Sequence, residues 1–483
     1  MRIFTLETPS ERVGSEGERS EYPWLNATEL RYTATVYLVH LFALVSLVLG
    51  SGQEHYSSIA SLDRAVVIQS VQTNQKNQIN QMNEIWSDMP VQNFIPPRRL
   101  LLGPGPSMVH PRVLRALSTP LLGHLDPAFL AIMDDVQTLL RLVFQTKNHF
   151  TIAVSGTGSA GMEASIVNIV EPGDSVIVGV NGVFGTRWAT IVERCGGKAI
   201  QVEAPWGQVI EPEAVEQALR RSGPVKAVAI VHAETSTGAW QPLEAIAHLC
   251  RDHDTLFLVD AVTSLGGAPV EIDRWGIDVC YSATQKCLSC PPGLSPLTLS
   301  DRALAAVKAR RTPCQSWYLD MALIADYWAE GTRAYHHTAP ISMLYALREA
   351  LRLVEEEGLP ARFIRHQLNS EALIAGLTEL GLLPLSPTGQ RLPMLTCVTV
   401  PSPIPEAEIR TNLLSIYGIE IGGGLGPLKG KVWRIGLMGQ SSTEAHVLTL
   451  LNALEELFIR SGWLSTPGIA LQAASRVYSR TAS

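Results

Sequence analysis

Three places in the sequence carry residue types that could act together on one molecule. Ser155-Gly-Thr-Gly-Ser-Ala-Gly161 is a run of small residues followed directly by the helical MEASIVNIV. Such a turn exposes backbone N–H groups at a helix N-terminus, where unpaired donors and the helix dipole favour an anion such as phosphate. Alone, the run could serve only chain reversal. It is neither a Walker loop, since no Gly-Lys-Ser/Thr follows, nor a clean dinucleotide fingerprint. Asp260, in LVDAVTSLGG, ends an apolar run, where a lone carboxylate is more often a loop or cap residue. Lys286, in YSATQKCLSCPPG, would by itself read as a solvated surface lysine. Held in a pocket beside other cations, however, a lysine has a depressed pKa and becomes an amine nucleophile. An anion cup, a carboxylate and an amine together meet the needs of pyridoxal phosphate: a phosphate site, a partner for the pyridine nitrogen and a covalent attachment point.

Those residues can converge only if the elements before them are strands of one sheet. From Arg98 onward, short β-branched runs alternate with helical patterns, the signature of a mostly parallel sheet covered by helices. The runs are TIAV from Thr151, SVIVGV from Ser175, KAIQV from Lys198, KAVAIVHA from Lys226, TLFLVDA from Thr255 and VCYSA from Val279. Helices are predicted over Met162–Val170, Gly185–Cys195, Glu213–Arg221 and Leu243–Asp252. In open α/β sheets ligands gather beyond the carboxyl ends of the strands, which is where all three candidate sites fall. After about Gly358 the pattern changes to a helical stretch, LPMLTCVTV, a helix over Glu406–Tyr417, KVWRIGLMG and a helix over Thr443–Phe458. The expected organisation is a large α/β domain over 96–357 and a smaller α+β domain over 358–463. A frayed tail is expected over 464–483, which lacks a strong period.

The 483 residues carry 38 Lys+Arg against 45 Asp+Glu, a formal charge of −7, so no basic field draws in a nucleic acid. Seven cysteines, from Cys195 to Cys397, read as reduced thiols in a cytosol-like compartment. Residues 1–95 differ from the rest. An uncharged, largely apolar run over 32–53 is close to the length that crosses a bilayer. It leaves open a membrane anchor, a buried or interfacial helix, or upstream sequence read in from an early start codon. A Gln/Asn-rich linker follows over 69–84.

Several separated motifs in one order now matter: LLGPGPS, SGTGSAGMEA, EPGD, HAETSTG, LVDAVTSLGG, YSATQKCLSCPPG, YHHT and GGGLGPLKGKVWRIGLMG. From about Arg98 to Arg460 the chain resembles the class V, fold type I aminotransferases of the alanine–glyoxylate and serine–pyruvate group. GHLDPAFLAIMDD resembles the bacterial and cyanobacterial branch. The resemblance implies a homodimer with shared active sites, and makes Lys286 the amine bonded to the cofactor and Asp260 the partner of the pyridine nitrogen. Thr157, Gly158 and Ser159, helped by Gln285, would hold the phosphate. Phe184 falls where the family often has a stacking Trp, keeping an aromatic face of smaller area. Thr235 would lie near the ring hydroxyl. Tyr335 and Thr338 would reach the phosphate of the neighbouring subunit. Arg434 would grip the substrate carboxylate through two parallel hydrogen bonds, and Gly123, His124 and the Gly103–Ser107 loop, with Gly105, would form the substrate wall.

Cys287 and Cys290 form a C-x-x-C beside the lysine, but no second Cys or His pair stands at zinc spacing. No metal is expected; packing beside the cofactor accounts for them, and His336 and His337 are read as positional. The implied activity is ping-pong transfer of an amino group from alanine or serine to glyoxylate in a cytoplasmic enzyme, or a tethered one if 32–53 anchors it. Ureidoglycine–glyoxylate and 3-hydroxykynurenine transaminases would use the same machinery. A cysteine desulfurase would need a mobile catalytic Cys, and a tethered non-catalytic homologue would have no use for the lysine, acid and arginine together.

Overall fold

The structure, a computed structural model, describes residues 95–329, 331 and 333–481, so the 32–53 run and the 69–84 linker lie outside the described residues. The strands are β1 (Leu100–Leu101), β2 (Phe150–Ser155), β3 (Ser175–Val180), β4 (Lys198–Glu203), β5 (Ala227–Val231), β6 (Leu256–Asp260), β7 (Val279–Tyr281), β8 (Leu294–Leu299), β9 (Leu395–Thr399), β10 (Ile419–Glu420), β11 (Gly422–Gly423) and β12 (Val432–Gly436). A short hairpin pairs Ala233–Glu234 with Ala239–Trp240. The helices used below are α1 (Pro127–Phe144), α2 (Gly158–Val167), α3 (Val183–Arg194), α4 (Pro212–Arg221), α5 (Glu244–Asp252), α6 (Ile341–Glu357), α7 (Leu359–Glu379), α8 (Glu406–Tyr417), α9 (Glu444–Arg460) and α10 (Ile469–Thr481).

Seven strands build the central sheet in the order β2-β8-β7-β6-β5-β3-β4. β3 to β7 run parallel to one another, and β8 is antiparallel to both of its neighbours. β5 and β6 are buried at every residue, as helices on both faces of a parallel sheet require. This is the α/β, mostly parallel fold expected for a type I pyridoxal-phosphate enzyme. The larger core gathers Phe129 and Met133 of α1, Trp188 of α3, Phe257 of β6 and Leu347 of α6. A smaller core gathers Trp433 of β12, Leu373 and Leu377 of α7, Leu413 of α8 and Leu454 and Phe458 of α9 over the antiparallel β9-β12-β11 sheet. Leu102 is buried in this smaller core, because β1 pairs in parallel with β10.

Two elements differ from the sequence reading. β8 was absent from it because Pro296 interrupts the run, and proline normally bars a central strand. Pro296 accepts from Ser282 N–H at 2.7 Å, one residue past the end of β7, so the missing donor falls where the ladder has stopped. The closing segment is no frayed tail. Residues 469–481 form α10, which packs on α7 with Ala470 and Ala474 wholly buried, and Glu455 accepts from Gly468 N–H at 3.0 Å at its start. Its apolar residues do recur at helical spacing, with Ala470, Ala473 and Ala474 buried and Val477 and Tyr478 half-buried against the smaller core. Among the described residues no helix is long and apolar enough to cross a membrane.

Candidate active site

The carboxyl ends of β2, β6 and β7 bring their following residues to one cavity of about 230 Å³. Thr157, Gly158, Ser159, Phe184, Thr235, Asp260, Gln285 and Lys286 line it, joined by Arg187, Tyr281, Val262, Thr263, Met162 and Ala233. Thr157 precedes the first turn of α2, and no side chain caps that turn. Gly158 has to be glycine, since a β-carbon there would stand 2.8 Å from Ala283 Cβ. The backbone of the turn is thereby brought close to the segment leading to Lys286.

Asp260 is 3% exposed at the last position of β6. Its register partner on β7 is Tyr281, whose hydroxyl donates to Oδ2, while Val262 N–H donates to Oδ1 at 2.8 Å. Burial pushes the carboxyl up to about 6, although both donors pull the other way. A carboxylate so held gains from a cationic N–H placed against it. Lys286 donates from Nζ to Pro104 O. Burial, then the Arg434 charge, brings its amine down to about 8, which leaves a usable fraction unprotonated near neutrality.

Gly105 abuts that amine: a β-carbon at residue 105 would lie 2.6 Å from Lys286 Nζ, and its φ of +112° also favours glycine. Arg434, 7% exposed, lies on β12 and reaches across from the smaller core. Its Nη1 donates to Thr235 O at 3.2 Å and its Nε to Gly423 O at 2.8 Å. Gly123, His124, Tyr335 and Thr338 do not line the cavity of their own chain. The His124 and Tyr335 rings lie 5.1 Å apart, with Tyr335 60% exposed. His337 connects this segment to the Ser155–Gly161 turn, with Nε2 2.7 Å from Ser155 Oγ and Nδ1 2.8 Å from His336 Nδ1. Cys287 is buried and donates to Thr263 O at 3.2 Å; burial pushes its thiol up to about 12, away from nucleophile chemistry.

Sequence reasoning missed Tyr281, Glu234 and Arg187. Tyr281 becomes visible only once β6 and β7 are in register. Glu234 is fully buried and accepts from Phe184 N–H at 3.1 Å and Ser236 N–H at 3.0 Å, closing the start of α3. Arg187 stands three residues after Phe184 on α3, a spacing that shares one helix face and could have been read from the sequence.

The cavity fits pyridoxal phosphate on this chain's own geometry. An uncapped helix turn faces one side, and the Lys286 amine and Asp260 carboxyl share the lining. The buried amide oxygen of Gln285 has no partner, and a half-turn of that amide offers its N–H₂ to an anion instead. Fold and cavity together define a pyridoxal-phosphate-dependent enzyme of fold type I. The chain belongs to the class V aminotransferases, whose family pattern matches residues 101–432. It is 51% identical to an alanine–glyoxylate aminotransferase from Nostoc sp., with a TM-score of 0.75 over 77% of this chain and 98% of that one. The ureidoglycine–glyoxylate aminotransferase of Bacillus subtilis is 44% identical, with a TM-score of 0.78 over 80% of this chain and 100% of that one. The alanine–glyoxylate aminotransferase of Rattus norvegicus is 42% identical over 74% of this chain and 87% of its own length.

Proposed function

We propose that the enzyme moves an amino group from alanine or serine to glyoxylate. The observation that carries this is the lining of one cavity by the Lys286 amine and the Asp260 carboxyl, with the Arg434 guanidinium close enough to depress that amine. Bound there, pyridoxal phosphate supplies an aldehyde that takes up the amino group and a ring that draws electrons from the substrate's α-carbon. Asp260, fixed by Tyr281 and Val262, holds a proton on the pyridine nitrogen. Thr157, Gly158, Ser159 and Gln285 hold the phosphate, Phe184 covers the ring face, and Thr235 lies near the ring hydroxyl. Arg434 grips the carboxylate common to amino and oxo acids, which turns the α-hydrogen toward Lys286. The neutral Lys286 amine takes that proton and returns it to the carbon that bears the transferred nitrogen.

Alanine or serine leaves the first half-reaction as pyruvate or hydroxypyruvate. Glyoxylate leaves the second as glycine, a ping-pong sequence. The exposure of Tyr335 and Thr338, away from their own cavity, supports a homodimer in which each copy offers them to its neighbour's phosphate. The buried, free cysteines fit a reducing, cytoplasmic setting. Likeness to the Bacillus enzyme supports a second donor reading, ureidoglycine, with the same acceptor. Half-reaction spectroscopy decides between them: the purified enzyme is mixed in turn with alanine, serine and ureidoglycine, and loss of its near-visible band is followed, then its return with glyoxylate. Alanine or serine is expected to remove the band. If only ureidoglycine does, the second reading replaces the first; if glyoxylate fails to restore it, both are wrong.

A further inference from the structure

Among the described residues lining the cavity, Arg187 is the charged side chain to which the roles above give no work. Its guanidinium carbon stands 4.9 Å from the Phe184 ring centroid, and its Nη1 donates to Ser159 Oγ at 3.3 Å, in the first turn of α2. It therefore touches both the aromatic wall and the anion cup. We propose that Arg187 binds the cofactor phosphate, donating across the first turn of α2 to oxygens that the turn alone does not neutralise. The proposal rests on pyridoxal phosphate being the resident cofactor.

Charge balance carries the argument. A phosphate monoester bears roughly 1.5 to 2 negative charges at neutral pH, whereas a helix N-terminus supplies about half a positive charge. The difference calls for a full cation. Lys286 is directed at Pro104 O and Gly105, and Arg434 at the carbonyls of Thr235 and Gly423. Of these three cations, among the described residues, Arg187 is the one hydrogen-bonded to the Ser155–Gly161 turn. A guanidinium also matches phosphate with paired donors. Were its role confined to the Phe184 face, an exposed cation–π contact would contribute only about 0.5–1 kcal/mol.

The test compares two ligands differing only in the phosphate, neither able to bond covalently to Lys286. The full-length chain, freed of cofactor, is titrated with pyridoxamine 5′-phosphate and with pyridoxamine, following tryptophan fluorescence. The wild type is expected to favour the phosphorylated ligand strongly. Arg187→Gln is expected to shrink that preference at least about tenfold, or roughly 1.4 kcal/mol, and to leave pyridoxamine binding within about twofold. Arg187→Lys recovers part of the preference, as a point charge without the fork. Because the side chain is exposed, the variants keep the wild-type unfolding midpoint. An unchanged preference in Arg187→Gln overturns the proposal, as does equal weakening of both ligands, which would mark Arg187 as a support for Phe184 alone. A wild type that binds neither ligand overturns the cofactor assignment itself, a result distinguishable from the other two.

Discussion

The Tyr281 hydroxyl donates to Asp260 Oδ2 because the two residues are register partners on adjacent parallel strands. Sheet geometry, and not a loop, thus aims the carboxylate. Without a cationic partner, burial disfavours ionisation more than the Tyr281 hydroxyl and the Val262 N–H favour it, and lifts Asp260 from its ordinary 3.8 to about 6. A carboxyl whose folded pKa is raised contributes stability that is complete below about pH 4 and is lost as pH rises through about 6. Asp260→Asn should therefore stabilise the cofactor-free chain by about 1–3 kcal/mol at pH 8, with little change at pH 4. It should also abolish transamination. Urea unfolding at the two pH values checks this, and a destabilised Asn variant at pH 8 would contradict it.

Lys286 and Arg434 form a second electrostatic pair. After burial, the Arg434 charge is the next cause holding the amine down at about 8. Covalent attachment of pyridoxal phosphate needs the unprotonated amine, so its rate in the stripped enzyme should rise with pH toward a plateau above about 8. Arg434→Gln removes the repulsion, and the midpoint should move upward. The same variant should raise KM for alanine and glyoxylate by roughly 100-fold, the order expected for losing a charge-assisted pair of hydrogen bonds. Stopped-flow absorbance across pH 6–10 reads the midpoint; a downward movement would show that another group sets the amine.

Gly105→Ala tests the close approach of the backbone to the amine. The new methyl would crowd Lys286 Nζ at 2.6 Å and Cδ at 2.9 Å, at a backbone φ of +112°. A lysine tip can swing aside, so the fold should survive with a loss of about 1–3 kcal/mol from the backbone strain. The amine, however, no longer meets the aldehyde in place. The near-visible band should vanish, as in Lys286→Ala, while far-ultraviolet dichroism stays unchanged. A variant with a normal band would place the reacting amine elsewhere.

The strand-end logic made Asp260, Lys286 and the Thr157 turn legible in the sequence, because a parallel sheet delivers every carboxyl end to one edge. Boundaries such as Glu406–Tyr417 were also legible, since an apolar period ends there at Gly418 in a left-handed C-cap. Three features were hidden for physical reasons. Pro296 masks β8, whose tolerance depends on where β7 stops. α10 presents its inward face largely through Ala470, Ala473 and Ala474, with Val477 and Tyr478 a turn on, so its period rests mostly on small residues of low hydrophobicity. Tyr281 lies one strand away from Asp260, a relationship that exists only after pairing.

The last prediction concerns Arg362, which ties the lysine loop to the smaller core. It is 1% exposed on α7, with Nε donating to Gly266 O at 2.7 Å, Nη2 to Cys287 O and Nη1 to Glu357. Glu357 also takes Arg365 Nε at 2.6 Å, and Arg365 Nη1 donates to Gly439 O at 2.9 Å. One buried fork therefore binds the residue after Lys286, the Gly266 turn and Glu357, and Glu357 in turn holds Arg365 against the segment following β12, the strand that carries Arg434. Arg362→Met fills similar space but leaves two buried carbonyls without this donor and removes one cation from Glu357. Breaking such a pair from one side costs about 3–5 kcal/mol, and urea unfolding of the cofactor-loaded enzyme should show a loss in that range. Arg362→Lys keeps the charge without the three-way fork and should fall between Met and wild type. The Met variant should also lose turnover beyond its loss of folded protein, because Cys287 is Lys286's neighbour in the chain. A loss below about 1 kcal/mol, the size of an ordinary surface ion pair, would show that the fork does not hold the loop to the smaller core.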